Sequence, residues 1–195
     1  IHTKTAAEVF GIPMEQVSKL QRRAAKIINF GVMYGMSPKG LSDATGMSFG
    51  EAKKFISDYF EVRRPIKNYL DKTLDQARKE GYVETFFGRR RPTPDVKSSN
   101  FMIREAAKRA AANMPIQGTE ADLMKRAMIE VDKKITQTEL GEQILQIHDS
   151  ILIEAPTKNA EQVSKILREI MEQVCPELDI PLKVDVKIGK SWEAL

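Results

Sequence analysis

Apolar residues recur every three or four positions through most of the first half of the chain, the spacing of a helix with one buried face. The pattern predicts a short helix over residues 3–10, closed by Gly11 with Pro13 beyond. A longer one is expected over 15–34, stopped near Gly35 and Pro38. Ser48 followed three residues later by Glu51 reads as a capping box opening a third helix, to about Tyr59. Pro65 heads a fourth, which ends at Gly81. The period then changes. YVETFF, 82–87, predicts a strand, and GRRRPTPD after it reads as turn. Helices are expected over 99–113 and 118–135, interrupted by Pro115 and Gly118. Residues 143–148 and 150–154 read as a hairpin, 158–174 as an amphipathic helix, and LKVDVKIG, 182–189, as an alternating strand. A helical first half followed by helices mixed with an antiparallel sheet is an α+β pattern.

Composition narrows the class. The chain has 195 residues, 42% hydrophobic, so it can bury a core as one large or two small domains. Thirty-one Lys and Arg against 27 Asp and Glu leave a net charge of +4, too small by itself to argue for nucleic acid. The single cysteine, Cys175, excludes an internal disulfide framework and fits a reducing compartment. No apolar run approaches the roughly 20 residues of a membrane helix. The opening IHTKTAAEVFG has neither an initiator Met nor the look of a signal peptide, and reads as the middle of a longer chain.

In RRAAKIINFGVMYG, 22–35, Arg22, Lys26, Phe30 and Tyr34 are each four residues apart. On a helix they share one face, drifting about 40° per step over roughly 18 Å. Two cations at one end and two aromatics at the other match the polarity of a nucleoside triphosphate. A guanidinium can grip a phosphate bidentately, and an ammonium acts as a point charge. Ala24, Ala25, Ile27, Ile28 and Val32 are expected to pack inward. Periodicity alone favours an ordinary amphipathic helix with solvated cations and core aromatics.

Other candidates are open in the same way. Asn113 before Met114-Pro115 can be a helix terminus, and Gln146 a solvated strand residue. Arg89-Arg90-Arg91 is a cationic turn, suited to phosphate or to surface salt bridges. In LQIHDSILIEAP, 145–156, His148-Asp149 can be simply the turn of a hairpin.

Arg22-x3-Lys26-x3-Phe30-Gly31-x2-Tyr34-Gly35 resembles the nucleotide-binding helix of family A DNA polymerases, the bacterial DNA polymerase I group. GYVETFFGRRRPTPD, REAAKRAAANMPIQGTEADLMK and LQIHDSILIEAP resemble that family's later segments, in the same order, and the likeness runs from IHTKTA to IGKSW. It implies a fingers subdomain over 1–100 and the carboxyl-terminal part of a palm over 101–195, a small antiparallel sheet packed by helices. The thumb and first palm strands would lie in a preceding segment or chain. The implied function is template-directed DNA synthesis by two-metal nucleotidyl transfer, in a bacterial or viral, cytoplasmic, nucleoid-associated setting without membrane contact.

The resemblance also implies roles. Arg22 and Lys26 would hold the incoming deoxynucleoside triphosphate, with His2 a further phosphate contact. Phe30 would pack on the sugar and Tyr34 border the templating base. Arg109, Asn113, Gln117, Gln146 and His148, with Arg104 on the same helix, would face the minor groove of primer–template DNA, where acceptors recur whatever the sequence. Asp149 would be the catalytic metal ligand, one of the carboxylates around two Mg²⁺ ions.

Two departures from the family pattern stand out. Ser150 occupies the position where the motif continues with glutamate, a weaker, neutral ligand. The family's other metal-binding aspartate lies upstream of Ile1. Asp95, Asp122, Glu154 and Asp185 are poor substitutes for it, Asp122 reading as structural. The 195 residues alone are therefore expected to be inactive. The competing reading is a non-catalytic polymerase relic that only grips DNA.

Overall fold

A computed structural model describes residues 1–194, which form seven α-helices and two small antiparallel sheets, an α+β chain dominated by helix. The order is α1 (His2–Phe10), α2 (Lys19–Met33), α3 (Pro38–Thr45), α4 (Phe49–Val62), α5 (Arg64–Glu80), β1 (Tyr82–Glu84), β2 (Arg90–Pro92), α6 (Phe101–Val131), β3 (Glu142–Ile147), β4 (Ser150–Glu154) and α7 (Ala160–Glu172). Among the described residues no helix is long and apolar enough to cross a membrane.

The chain divides into two compact units. One comprises Ile1–Val83 and Arg90–Met114; the other comprises Glu84–Arg89 and Pro115–Leu195. In the first, Ile28 and Val32 of α2, Leu41 of α3, and Ala52 and Tyr59 of α4 close one core. A second core joins Ala77, Val83, Val96, Ala111 and Met114. In the other unit, Ala127 and Val131 of α6 and Val163, Leu167 and Ile170 of α7 bury one another with Ile135. Ile151 and Ile153 of β4 pack onto that cluster, which seats the hairpin on a helical layer.

Helix starts follow local chemistry. Ser48 accepts from Glu51 N at 3.3 Å while the Glu51 carboxylate takes Ser48 N at 2.8 Å, the expected capping box. Ser18 and Gln21 form a second one at the head of α2. Pro65 lies in the first turn of α5, and Gly81 ends that helix at φ 79°.

α2 stops at Met33, short of Gly35 and Pro38 as expected; Pro38 in addition opens α3, a helix the pattern did not announce, and Ser37 caps it by accepting from Gly40 N at 3.1 Å. Three expectations need correction. Pro115 does not interrupt a helix, since α6 runs unbroken for 31 residues. Proline removes one N–H donor, and the alanine-rich sequence around it propagates helix strongly. The Thr119 hydroxyl also donates to the Pro115 carbonyl at 2.5 Å. The strand expected over 82–87 stops at Glu84, because Gly88 N bonds to Thr85 O at 2.9 Å and closes a turn with Gly88 at φ 78°. Residues 182–189 form no strand. Leu182, Val184 and Val186 are half-buried between exposed neighbours, so the alternation is real. It reports which side of the chain meets a core; a ladder also needs a partner edge. Val184 N instead donates to the Glu172 carboxylate of α7 at 3.1 Å.

Candidate functional site

The face of α2 is as its spacing requires. Arg22, Lys26 and Phe30 are exposed and Tyr34 half-buried, while Ala25, Ile28, Asn29 and Val32 are buried on the other side. Ile27, expected inside, is 51% exposed, because its position falls between the two faces. Three residues of the row are physically connected. Lys26 Nζ stands 5.9 Å from the Phe30 ring centroid, and the Phe30 and Tyr34 rings stack at 6.1 Å. His2, on α1, joins from the side with its ring 5.7 Å from Phe30. Burial holds the His2 pKa below its usual value, and the charges of Arg22, the chain's amino group and Lys26 lower it further. Lys26, Tyr34 and His2 are thus joined through Phe30, with Arg22 acting on His2 through its charge.

Gly35 closes this face. Its φ of 85° lies in the left-handed region, and a Cβ there would stand 2.9 Å from Arg109 Cγ. Arg109 of α6 is thereby held beside the end of α2, within the same unit. Arg109, Asn113 and Gln117 recur every four residues along α6, with Arg109 and Gln117 exposed and Asn113 half-buried. Arg104 is engaged differently. Its guanidinium donates to the Ser98 and Ser99 carbonyls at 2.8 and 3.3 Å and lies over Phe101, tying down the loop before the helix.

In the other unit, β3 and β4 pair antiparallel, with Ile147 opposite Ser150 and His148-Asp149 forming a two-residue loop. His148 has φ 51°, a conformation rarely adopted outside glycine, which makes the tight reversal possible. The Gln146 amide donates to the His148 carbonyl at 2.5 Å and braces the turn. Asp149 stands exposed at the tip. The Ser150 hydroxyl donates to the Ile147 carbonyl at 2.8 Å, so it fastens the turn from within. A shallow cavity of about 360 Å³ runs between α6 and the hairpin, lined by Glu120, Met124, Lys125 and Met128 on one side and Gln146 and His148 on the other.

Asp122 is structural, as its apolar neighbours indicated. It is 5% exposed, accepts from the Thr85 hydroxyl at 2.8 Å and pairs with Arg89 Nε at 2.6 Å. Burial alone would raise its pKa; the hydrogen bonds from Arg89 and Thr85 and the charges of Arg89 and Lys125 outweigh that and leave it lowered. With Arg90 stacked over Tyr82 at 4.3 Å, two arginines of the cationic turn have partners in the fold. Glu154 pairs with Glu142 at the far end of the hairpin from Asp149. Among the described residues no three His, Cys, Asp or Glu side chains gather as a metal-ligand group.

One participant escaped sequence reading. Asn29 is 5% exposed, and its amide reaches both His2 Nδ1 at 3.1 Å and the Thr5 hydroxyl at 3.0 Å. A signal was available: positions 25, 28, 29 and 32 form the inward stripe of α2, and an asparagine there requires hydrogen-bond partners.

Cations followed by aromatics line one face of α2, and an exposed carboxylate stands at the tip of a hairpin elsewhere in the chain. Residues 1–194 match DNA polymerase family A, and the chain belongs to that family. It is 48% identical over 193 residues to the thermostable DNA polymerase I of Thermus aquaticus, covering 98% of this chain and 23% of that protein. Against DNA polymerase I of Deinococcus radiodurans it is 47% identical over 192 residues, covering 98% and 20%. Among solved structures, the POL domain of Pol1 from M. smegmatis, in complex with DNA primer-template and dNTP, matches with a TM-score of 0.89 and 41% identity. That match covers 99% of this chain and 34% of the other. The chain therefore spans about a fifth of the length of these curated relatives.

Proposed function

We propose that these residues form the fingers (1–100) and the carboxyl-terminal part of the palm (101–195) of a DNA-directed DNA polymerase acting in the cytoplasm. The observation that carries the reading is the row Arg22, Lys26, Phe30 and Tyr34 on one face of α2, cations first and then stacked aromatics. Arg22 and Lys26 bind the triphosphate of the incoming nucleotide, Arg22 as a planar fork and Lys26 as a point charge. Phe30 packs on the sugar, and Tyr34 borders the templating base. Arg109, Asn113, Gln117, Gln146 and His148 supply N–H donors to the acceptors that every base pair shows in the minor groove. Arg104 acts with them by holding the loop before α6.

An exposed carboxylate on a braced two-residue turn suits a hard divalent cation. Asp149 is the ligand this chain offers; Ser150, its hydroxyl turned to Ile147, is a turn residue first. Two Mg²⁺ ions shared between Asp149 and a carboxylate from a preceding segment or separate chain, one that also carries the thumb and first palm strands, would stabilise the attacking and leaving oxygens of phosphoryl transfer.

The test is nucleotide incorporation by the intact protein on primer–template DNA. Extension that requires Mg²⁺ and disappears in Asp149→Ala supports the reading. Ser150's commitment to the turn favours a second one, a relic that grips DNA without chemistry. That reading predicts tight DNA binding with no incorporation and no affinity for nucleotide.

A further inference from the structure

Asn29 is the one polar side chain on the buried stripe of α2, and its partners lie on α1. One amide hydrogen goes to His2 Nδ1, 3.1 Å away. The other goes to the Thr5 hydroxyl at 3.0 Å, whose own proton can go to Asn29 Oδ1, 3.2 Å away, or to the Ile1 carbonyl at 3.3 Å. Thr5 is 1% exposed, so the pair is sealed from water. A neutral imidazole carries one proton on one of its two nitrogens. If Nδ1 accepts from Asn29, the proton must sit on Nε2, at the ring edge away from Asn29.

We propose that Asn29, held by Thr5, is a positioning residue that fixes His2 as the Nε2–H tautomer, so that a neutral N–H donor faces a phosphate oxygen beside Arg22 and Lys26. The inference rests on the nucleotide-binding role of the α2 row. Its chemical logic is one of charge. A third full cation next to Arg22 and Lys26 would repel both, and the depressed His2 pKa agrees with a ring kept neutral. A neutral ring donates only if its tautomer is correct; the wrong one would aim a lone pair at the phosphate. With its Nδ2 toward His2, the sealed amide leaves Nδ1 the accepting role before nucleotide arrives. Asn29 would touch no substrate and would act wholly through His2.

The test reads the tautomer directly. Nitrogen-15 NMR of the intact protein labelled at histidine, with His2→Gln to assign the signals, should show His2 Nδ1 unprotonated and Nε2 protonated at neutral pH. A proton on Nδ1, or exchange between the two forms, overturns the inference. Asn29→Asp keeps the size but can only accept, so it should move the proton to Nδ1; His2 signals unchanged from wild type would also overturn it. For function, Asn29→Ala should weaken deoxyadenosine triphosphate binding about ten- to a hundredfold, as expected for losing one hydrogen bond to a charged group. In a His2→Gln background the same change should cost nothing more. An equal loss in both backgrounds marks Asn29 as merely structural and overturns the proposal. Arg22→Ala separates the layers. If it leaves triphosphate affinity intact, the nucleotide reading falls and the phosphate role with it. If it weakens binding while His2 carries its proton on Nδ1, only the Asn29 inference falls.

Discussion

The face of α2 and the tip of the β3–β4 hairpin are both proposed to act on a nucleotide, yet they are built differently. On α2 and the adjoining α1 most groups have a local companion: Lys26 over Phe30, Phe30 against Tyr34, His2 on Asn29. The binding surface is organised by contacts within one unit. At the hairpin the backbone is braced, by Gln146 on the His148 carbonyl and Ser150 on the Ile147 carbonyl, while Asp149 itself is left exposed. Recognition of a flexible triphosphate benefits from side chains held in advance, because ordering them on binding costs free energy. A metal ligand needs a rigid platform and open oxygens. The contrast predicts that substitutions on α2 change nucleotide affinity, whereas substitutions at the tip change the chemical step.

The largest expected effect tests that division. Asp149→Ala should lower single-turnover incorporation by the intact protein by about a thousandfold or more, with nucleotide affinity changed little. A loss confined to affinity would erase the distinction.

Next comes Asp122, which sets the turn at 85–89 against α6. Asp122→Ala should reduce unfolding free energy by about 2–4 kcal/mol in chemical denaturation, since Thr85 and Arg89 lose a buried acceptor. Its pKa is lowered on folding, so its stabilisation is complete above the ordinary carboxylate range and is lost as pH falls through the lowered value. Acid unfolding of Asp122→Asn should accordingly be less steep than that of wild type.

Gly35→Ala should cost about 1–3 kcal/mol, from a positive φ and a Cβ aimed at Arg109. Because Arg109 must move, primer–template binding should weaken as well, in a fluorescence titration. Unchanged stability would remove Gly35 as the seat of Arg109. The smallest effect belongs to Ser150→Glu, which should lower the Mg²⁺ concentration for half-maximal incorporation by less than about tenfold, an added carboxylate being partly offset by the lost turn bond. An unshifted titration would remove the serine from any account of metal affinity.

Much of this was legible because it is local. The Ser48–Glu51 box, Pro65 and Gly81, the four-residue row and the hairpin halves all state their structure within a few residues. Pro115 misled, and Pro38 gave no sign of the helix it opens, because proline is ambiguous out of context. It opens one helix, where its missing N–H is not needed, and rides inside another, carried by the strong helix formers around it. The alternation over 182–189 marks a buried side at Leu182, Val184 and Val186, but Ile188 is exposed and no ladder forms. What could not be read were pairings across long separations. Asn29 meets His2 over 27 residues, and Thr85 meets Asp122 over 37. Nothing in local pattern says which polar groups will satisfy one another inside a fold. The buried position of Asn29 announces only that some partner must exist.

The central claim is that the exposed row of α2 binds the phosphates of a nucleotide. Its most direct test is the affinity of the intact, primer–template-bound protein for a deoxynucleoside triphosphate, compared between wild type and Arg22→Ala. The account predicts a tenfold to hundredfold weakening, about 1.4–2.7 kcal/mol, with DNA affinity unchanged. Equal nucleotide affinity in the two proteins would contradict it.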